Sequence, residues 1–235
     1  MSKRKWKLPA MSLLLFLVLL ADGALAGTVF AIARHQSGTF QSSTIQASTA
    51  QPRQVALTFD DGPHQTCTPA LLDGLKQRGV KATFFLMGEN IAGKELLVQR
   101  MQEEGHLIGN HSYRHIQMTK EEAEQACAEI EQTETLIQDI TGRRPEYLRP
   151  PYGAWNEQLE CRVNLTTVLW NVDSLDWKLK DTGKIIRQVL KDVKDGDIIL
   201  LHDIFPSSVE AALELVDILQ KEGYVFVTAD ELLID

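Results

Sequence analysis

The sequence predicts an α/β protein, a distorted or incomplete (β/α) barrel of about seven parallel strands. Three observations carry that reading. From residue 54 onward, short apolar runs of strand character alternate with helical patterns, which puts parallel strands inside and helices outside. A complete eight-fold barrel takes about 250 residues, more than the stretch from Gln54 to Asp235 offers. Ionisable residues follow one strand run after another, as they do where parallel strand ends converge on a single face. A flat doubly wound sheet is the competing architecture, although no G-x-G-x-x-G follows a strand run and a dinucleotide fold has no support.

In chain order, residues 1–33 read as an export segment. Lys3, Arg4, Lys5 and Lys7 precede an almost unbroken apolar run, Leu8 to Leu20, and Ala24-Leu25-Ala26 supplies small residues at an A-x-A-like cut. The stretch from Leu8 to Ala33 is also long enough to span a bilayer as an uncleaved anchor, with Asp22 inside it. Either way the remainder is exported, secreted or anchored on the outer face of the cytoplasmic membrane. Membrane contact is confined to this segment. Residues 34–53, rich in Ser, Thr and Gln, read as a flexible linker to a folded domain over 54–235.

Within that domain Val55-Ala56-Leu57-Thr58-Phe59 is a buried-strand run. Thr68 and Pro69 predict a helix start as N-cap and N1, and Gly79 its end. Ala82 to Leu86 is the next strand. Glu95 to Glu104 is helical and stops at Gly105, before a short apolar piece from His106 to Ile108. Thr119-Lys120-Glu121-Glu122 predicts a capping box, behind which Ala123, Ala126, Ile130, Ile137 and Ile140 share one helical face. Thr166 to Val172 and Asp197 to Leu201 are strands. Ser207-Ser208 predict the cap of a helix with Ala211, Leu215 and Leu219 inward, ended by Gly223, and Tyr224 to Thr228 is the last strand.

Composition narrows the function. With 44% hydrophobic residues over 235, the chain can bury a core without disulfide staples, and low-complexity disorder is excluded. Lys+Arg 24 against Asp+Glu 32 gives −8, which argues against a nucleic-acid partner. Cys67, Cys127 and Cys161 have no C-x-x-C spacing, so neither a cysteine metal knuckle nor a redox pair is available. At most one bridge can form among them; three buried small hydrophobes is the other reading.

The polar residues after the strand runs are Asp60-Asp61, His111 and His115, Arg149, Asp173 and Asp176, and His202-Asp203. His111 and His115 are four apart, so one helical turn would present both to a single ion. Asp60-Asp61 offers two carboxylates that point in different directions as chain neighbours. One can ligate while its twin keeps an oxygen for proton transfer. Two histidines and a carboxylate leave coordination positions open, as a catalytic site requires.

Thr58-Phe59-Asp60-Asp61-Gly62-Pro63, His111-Ser112-Tyr113-Arg114-His115, Arg149-Pro150-Pro151-Tyr152-Gly153, Asp173-Ser174-Leu175-Asp176-Trp177 and Leu200-Leu201-His202 resemble, in order, the five motifs of the polysaccharide deacetylases. This is the NodB-like family, carbohydrate esterase family 4, whose fold is a distorted (β/α) barrel. The resemblance implies that Asp61, His111 and His115 hold one divalent ion, zinc foremost, with cobalt, nickel or manganese as alternatives. It implies Asp60 as general base, Arg149 as its partner, and His202 as general acid beside Asp176, and it leaves open whether Asp173 is a second partner or structural. The backbone N–H of Tyr152 would face the oxyanion, and Trp177 and Leu200 would wall a pocket for the acetyl methyl.

The expected activity is removal of N-acetyl groups from N-acetylglucosamine in an extracellular polysaccharide by a monomer. Peptidoglycan, chitin-like chains and biofilm glycans are the expected partners. Tyr152 in the third motif favours N-acetylglucosamine, since family members acting on N-acetylmuramic acid tend to carry Arg there. An O-acetyl xylan esterase and a catalytically idle glycan-binding domain are the alternatives. A non-haem iron oxygenase also uses two histidines and a carboxylate, but would leave Asp60, Arg149 and the His202/Asp176 pair unexplained.

Overall fold

The computed structural model describes residues 51–155 and 164–233. The expected export segment and nearly all of the linker lie outside the described residues, as does Cys161. No helix among the described residues is long and apolar enough to cross a membrane.

The first half of the domain runs β1 (Arg53–Asp60), α1 (Cys67–Arg78), β2 (Thr83–Leu86), α2 (Gly88–Ile91), α3 (Glu95–Glu103), β3 (Leu107–Asn110), α4 (Ala123–Thr141) and β4 (Tyr147–Leu148). The second half runs β5 (Thr166–Thr167), β6 (Val172–Asp173), α5 (Asp176–Leu179), α6 (Thr182–Asp192), β7 (Asp197–His202), α7 (Pro206–Lys221), β8 (Tyr224–Val227) and α8 (Ala229–Leu233). All strand pairs are parallel, in the order β5-β4-β3-β2-β1-β7-β6, and β8 pairs with β1. Leaving β8 aside, strand number therefore advances in one direction around a ring that is open between β5 and β6. A doubly wound sheet would reverse direction instead; a constant direction puts every right-handed crossover on the same outer face. The fold is the incomplete barrel.

β1 is its hub. β7 runs along one edge, from Val55↔Asp197 to Asp60↔His202. The other edge is divided, β8 taking Arg53 to Ala56 and β2 taking Thr58 to Asp60. Side chains alternate along the strand. Val55, Leu57 and Phe59 face the helices in the main core with Leu71, Leu75, Ala211, Leu215 and Leu219. Ala56, Thr58 and Asp60 therefore face the concave side, where Ala56 packs with Phe85, Val168 and Ile198. The same parity in β7 sends Ile199 and Leu201 outward and Ile198, Leu200 and His202 inward.

Several local expectations are corrected. The strand expected over Thr166–Val172 is two short strands, because the chain changes partner: β5 pairs with β4, whereas β6 pairs with β7. Residues 168–171 thus cross the open seam of the ring, and Asn171 holds the far edge through bonds to both the N–H and C=O of Ile198. α1 starts at Cys67, not at Pro69; the His64 ring accepts the Cys67 N–H at 3.2 Å, and Thr68 makes tertiary contacts. The expected capping box is spent in a 3₁₀ turn, Met118–Lys120, and α4 starts at Ala123. α7 starts at Pro206, ahead of the expected Ser207-Ser208 cap. At α1 the Thr68 hydroxyl is committed to Asp203 across the fold rather than to a helix cap. α6, absent from the sequence reading, has an ordinary start: Asp181 accepts the Lys184 N–H at 2.9 Å, and Ile185, Ile186 and Val189 are buried. Cys67 and Cys127 are buried in separate clusters.

Candidate active site

The strand ends converge as parallel strands require, and the register decides who meets whom. Asp60 and His202 are partners across β1 and β7, both on the concave face. Beyond them the chain is bent hard: Asp61, Ser112, His115, Tyr152 and Leu175 all have φ between 54° and 70°. Such conformations cost non-glycine residues about 1–3 kcal/mol each and persist only where the surroundings over-determine them.

His111 and His115 do not share a helical turn; the segment is a loop with left-handed residues at Ser112 and His115. Neighbours on several sides shape it. Asn110 accepts the Ser112 N–H at 2.8 Å and donates to the Ile130 carbonyl of α4 at 2.9 Å. Ser112 Oγ accepts the His115 N–H at 3.0 Å, and the N–H groups of Gly88 and Glu89 bond the Ser112 and Tyr113 carbonyls. The result brings one ligand atom each from Asp61, His111 and His115 within 4.8 Å of one another.

These three groups suit a divalent ion. Asp61 Oδ1 is buried without a hydrogen bond among the described residues, 3.5 Å from His111 Nε2 and 3.6 Å from His115 Nε2. Donor atoms about 2.0–2.2 Å from a tetrahedral ion stand roughly 3.4 Å apart, so the spacing matches shared ligation. His111 Nδ1 lies 2.6 Å from the Arg149 carbonyl. A carbonyl only accepts, so Nδ1 carries a proton, and in the neutral ring this leaves Nε2 as the lone-pair atom facing Asp61. Burial, then the neighbouring His111, pushes the His115 imidazole down and favours its neutral form.

Asp60 is nearly fully buried and receives Arg149 Nη1 at 2.9 Å on Oδ1. The guanidinium is itself completely buried, a position that would be untenable without partners. Nη1 also donates to Thr58 Oγ1 at 2.6 Å, while Nε and Nη2 donate to the carbonyls of Val168 and Leu169, both at 3.1 Å. Phe85 stacks beneath it at 4.2 Å. Those two carbonyls lie where the chain crosses the seam, so the break in the expected strand supplies the arginine's acceptors.

On the other side, Asp176 accepts the His202 backbone N–H at 2.7 Å and pairs with His202 Nδ1 at 2.8 Å. Burial pulls the His202 imidazole down, but the hydrogen bond and charge of Asp176 prevail and raise it to about 9. The same bonds hold the Asp176 carboxyl below its ordinary value against its own burial. The Asp173 carboxylate instead accepts the Leu175 N–H at 2.8 Å, within the turn before α5. Tyr152 and Trp177 are 66% and 49% exposed, a usual condition for side chains that meet a ligand, and the Tyr152 ring stands edge-on to His115 at 4.6 Å. Leu200 is buried on the concave face, two register positions below His202 and Asp60 and opposite Thr58.

Comparison with known proteins shows the family. The family model for polysaccharide deacetylase matches residues 47–167. The chain belongs to the polysaccharide deacetylase family. It is 42% identical over 180 residues to the peptidoglycan-N-acetylglucosamine deacetylase PgdA of Listeria monocytogenes, covering 77% of this chain and 39% of that one. The chitooligosaccharide deacetylase of a Bradyrhizobium species is 34% identical over 73% of this chain and 87% of its own. The solved structure of peptidoglycan deacetylase PdaC from Bacillus subtilis superposes with a TM-score of 0.75 at 38% identity, covering 77% of this chain and 90% of that one. The chain spans about two fifths of the length of the first curated relatives it matches.

This family member also carries a support that the sequence reading missed. Glu129 of α4 is buried and accepts both the backbone N–H of Arg114, at 2.8 Å, and its Nε, at 2.7 Å, so it clamps the loop between the two histidines. A signal was present: Glu129 falls beside Ala126, Ile130 and Thr133 on the inward face of the helix, where an acid needs a partner. Glu129→Gln is expected to lower stability by about 1–3 kcal/mol, measured as the shift in urea unfolding. An unchanged midpoint would show that the clamp is dispensable.

Proposed function

We propose that this protein is a divalent-metal-dependent deacetylase. It removes N-acetyl groups from N-acetylglucosamine units of an extracellular polysaccharide, with peptidoglycan as the first candidate. The observation that carries the reading is the joint placement of the Asp61/His111/His115 triangle, the Asp60–Arg149 pair and the His202–Asp176 pair around one strand-end face. Tyr152 in the third motif supports N-acetylglucosamine over N-acetylmuramic acid. The chain acts as an exported monomer, attached to the membrane, if at all, through its N-terminal segment.

Asp61, His111 and His115 hold the ion, with zinc the leading candidate. When bound, such an ion acidifies water to a pKa of about 7 and polarises a carbonyl oxygen. Asp60 takes the proton of the attacking water on Oδ2, because Arg149 occupies Oδ1. The Tyr152 backbone N–H donates to the developing oxyanion, a bond worth about 3 kcal/mol. His202 has its Nδ1 proton committed to Asp176, so Nε2 protonates the departing amine. Trp177 and Leu200 flank the acetyl methyl.

Acetate release from peptidoglycan, chitin oligomers and acetylated xylan, each with and without a chelator, tests the assignment. Release from the first two that stops on chelation and returns with zinc is expected. Release from xylan alone would move the substrate to an O-acetyl ester. Binding to these glycans without acetate release would make the domain an idle one.

A further inference from the structure

Asp203 follows the proposed acid at the end of β7, yet its side chain turns away from the chemistry. It is completely buried, and its Oδ1 has no hydrogen bond among the described residues. Its Oδ2 accepts the hydroxyl proton of Thr68 in the first turn of α1. The same hydroxyl accepts the His64 N–H at 2.7 Å, so the carboxylate, the threonine and the segment after Asp61 are linked in series.

Gly62 completes the contact. A Cβ placed there would lie 2.4 Å from Asp203 Oδ1 and 2.7 Å from Oδ2, so the carboxylate fills the space a side chain would need. Gly62 is not among the positive-φ residues. Close approach, rather than backbone conformation, therefore demands the glycine. On its opposite side the segment is pinned by the Met87 N–H on the Gly62 carbonyl, at 3.0 Å, and by Asn90 Nδ2 on the Asp61 carbonyl, at 2.8 Å. Asp61 thus sits on a two-residue bridge gripped from both sides, with Asp203 as one jaw.

We propose that Asp203 is a positioning residue that seats against Gly62 and sets the Asp61 carboxylate at ligating distance from His111 and His115. Its contribution is to metal affinity, through packing and the Thr68 hydrogen bond rather than through its charge. This rests on the reading of those three residues as metal ligands.

The test is zinc titration of the metal-free full chain by calorimetry, with folding checked by thermal unfolding. Wild type is expected to bind one zinc. Asp203→Ala and Gly62→Ala should each weaken binding at least tenfold. Asp203→Asn, which keeps the shape and an acceptor for Thr68, should stay within about threefold of wild type. The Gly62→Ala/Asp203→Ala double variant should bind more tightly than Gly62→Ala alone, since the added methyl then has room.

Zinc bound by wild type with unchanged affinity in folded Asp203→Ala or Gly62→Ala would overturn the positioning role and leave the ligand assignment standing. A double variant weaker than both singles would do the same. If Asp203→Ala does not fold, folded Gly62→Ala decides alone. Absence of zinc binding by wild type would remove the ligand assignment and this inference with it.

Discussion

Asp60→Asn is expected to lower kcat about 10²- to 10⁴-fold, the range for loss of a general base, while zinc content stays at the wild-type level. The asparagine matches the carboxylate in size and can still accept from Arg149 Nη1 through its remaining oxygen. What it loses is the basic oxygen that faces His111 Nε2 across 3.7 Å. Arg149 would then carry an unpaired buried charge, and breaking such a pair costs about 3–5 kcal/mol. Thr58, Val168, Leu169 and Phe85 still hold the guanidinium, so the variant should remain folded at a lower melting temperature. His115→Ala is the contrasting case, expected to lose zinc and turnover together. Zinc loss in Asp60→Asn, or a rate within tenfold of wild type, would take the base role from Asp60.

Asp176→Asn should move the alkaline limb of the pH–rate profile. The acid must be protonated to serve the leaving amine, and His202 is raised to about 9 because the Asp176 carboxylate outweighs burial. Wild-type activity should therefore hold to about pH 9 and fall above it. Without the carboxylate's charge, burial acts unopposed by its main counterweight, and the imidazole gives up its proton at lower pH. The expected displacement is about 1–3 units, read from kcat between pH 5 and 10. A limb that stays in place would mean that another group sets it. Asp173→Asn is the matched control, because its carboxylate meets the Leu175 N–H rather than the histidine.

Local chemistry made much of this protein legible from its residues alone. Apolar runs predicted β1, β2 and β7, because a strand buried on both faces must be apolar at nearly every position. Gly79 and Gly105 end their helices in the left-handed conformation that favours glycine. The motif residues named candidates for ligation, base and acid, since side-chain chemistry at a strand end belongs to the residue itself.

Contacts between distant segments belong to the tertiary structure, because a sequence does not state who lies opposite whom. The β1–β7 register set Asp60 beside His202, and the chain's crossing of the seam supplied carbonyls for Arg149. Asp176 rather than Asp173 received the histidine, and a clamped loop rather than a helical turn aimed His111 and His115 at Asp61. Glu129 and Asp203 found their work only there, for a buried carboxylate takes its role from the partner the fold brings to it.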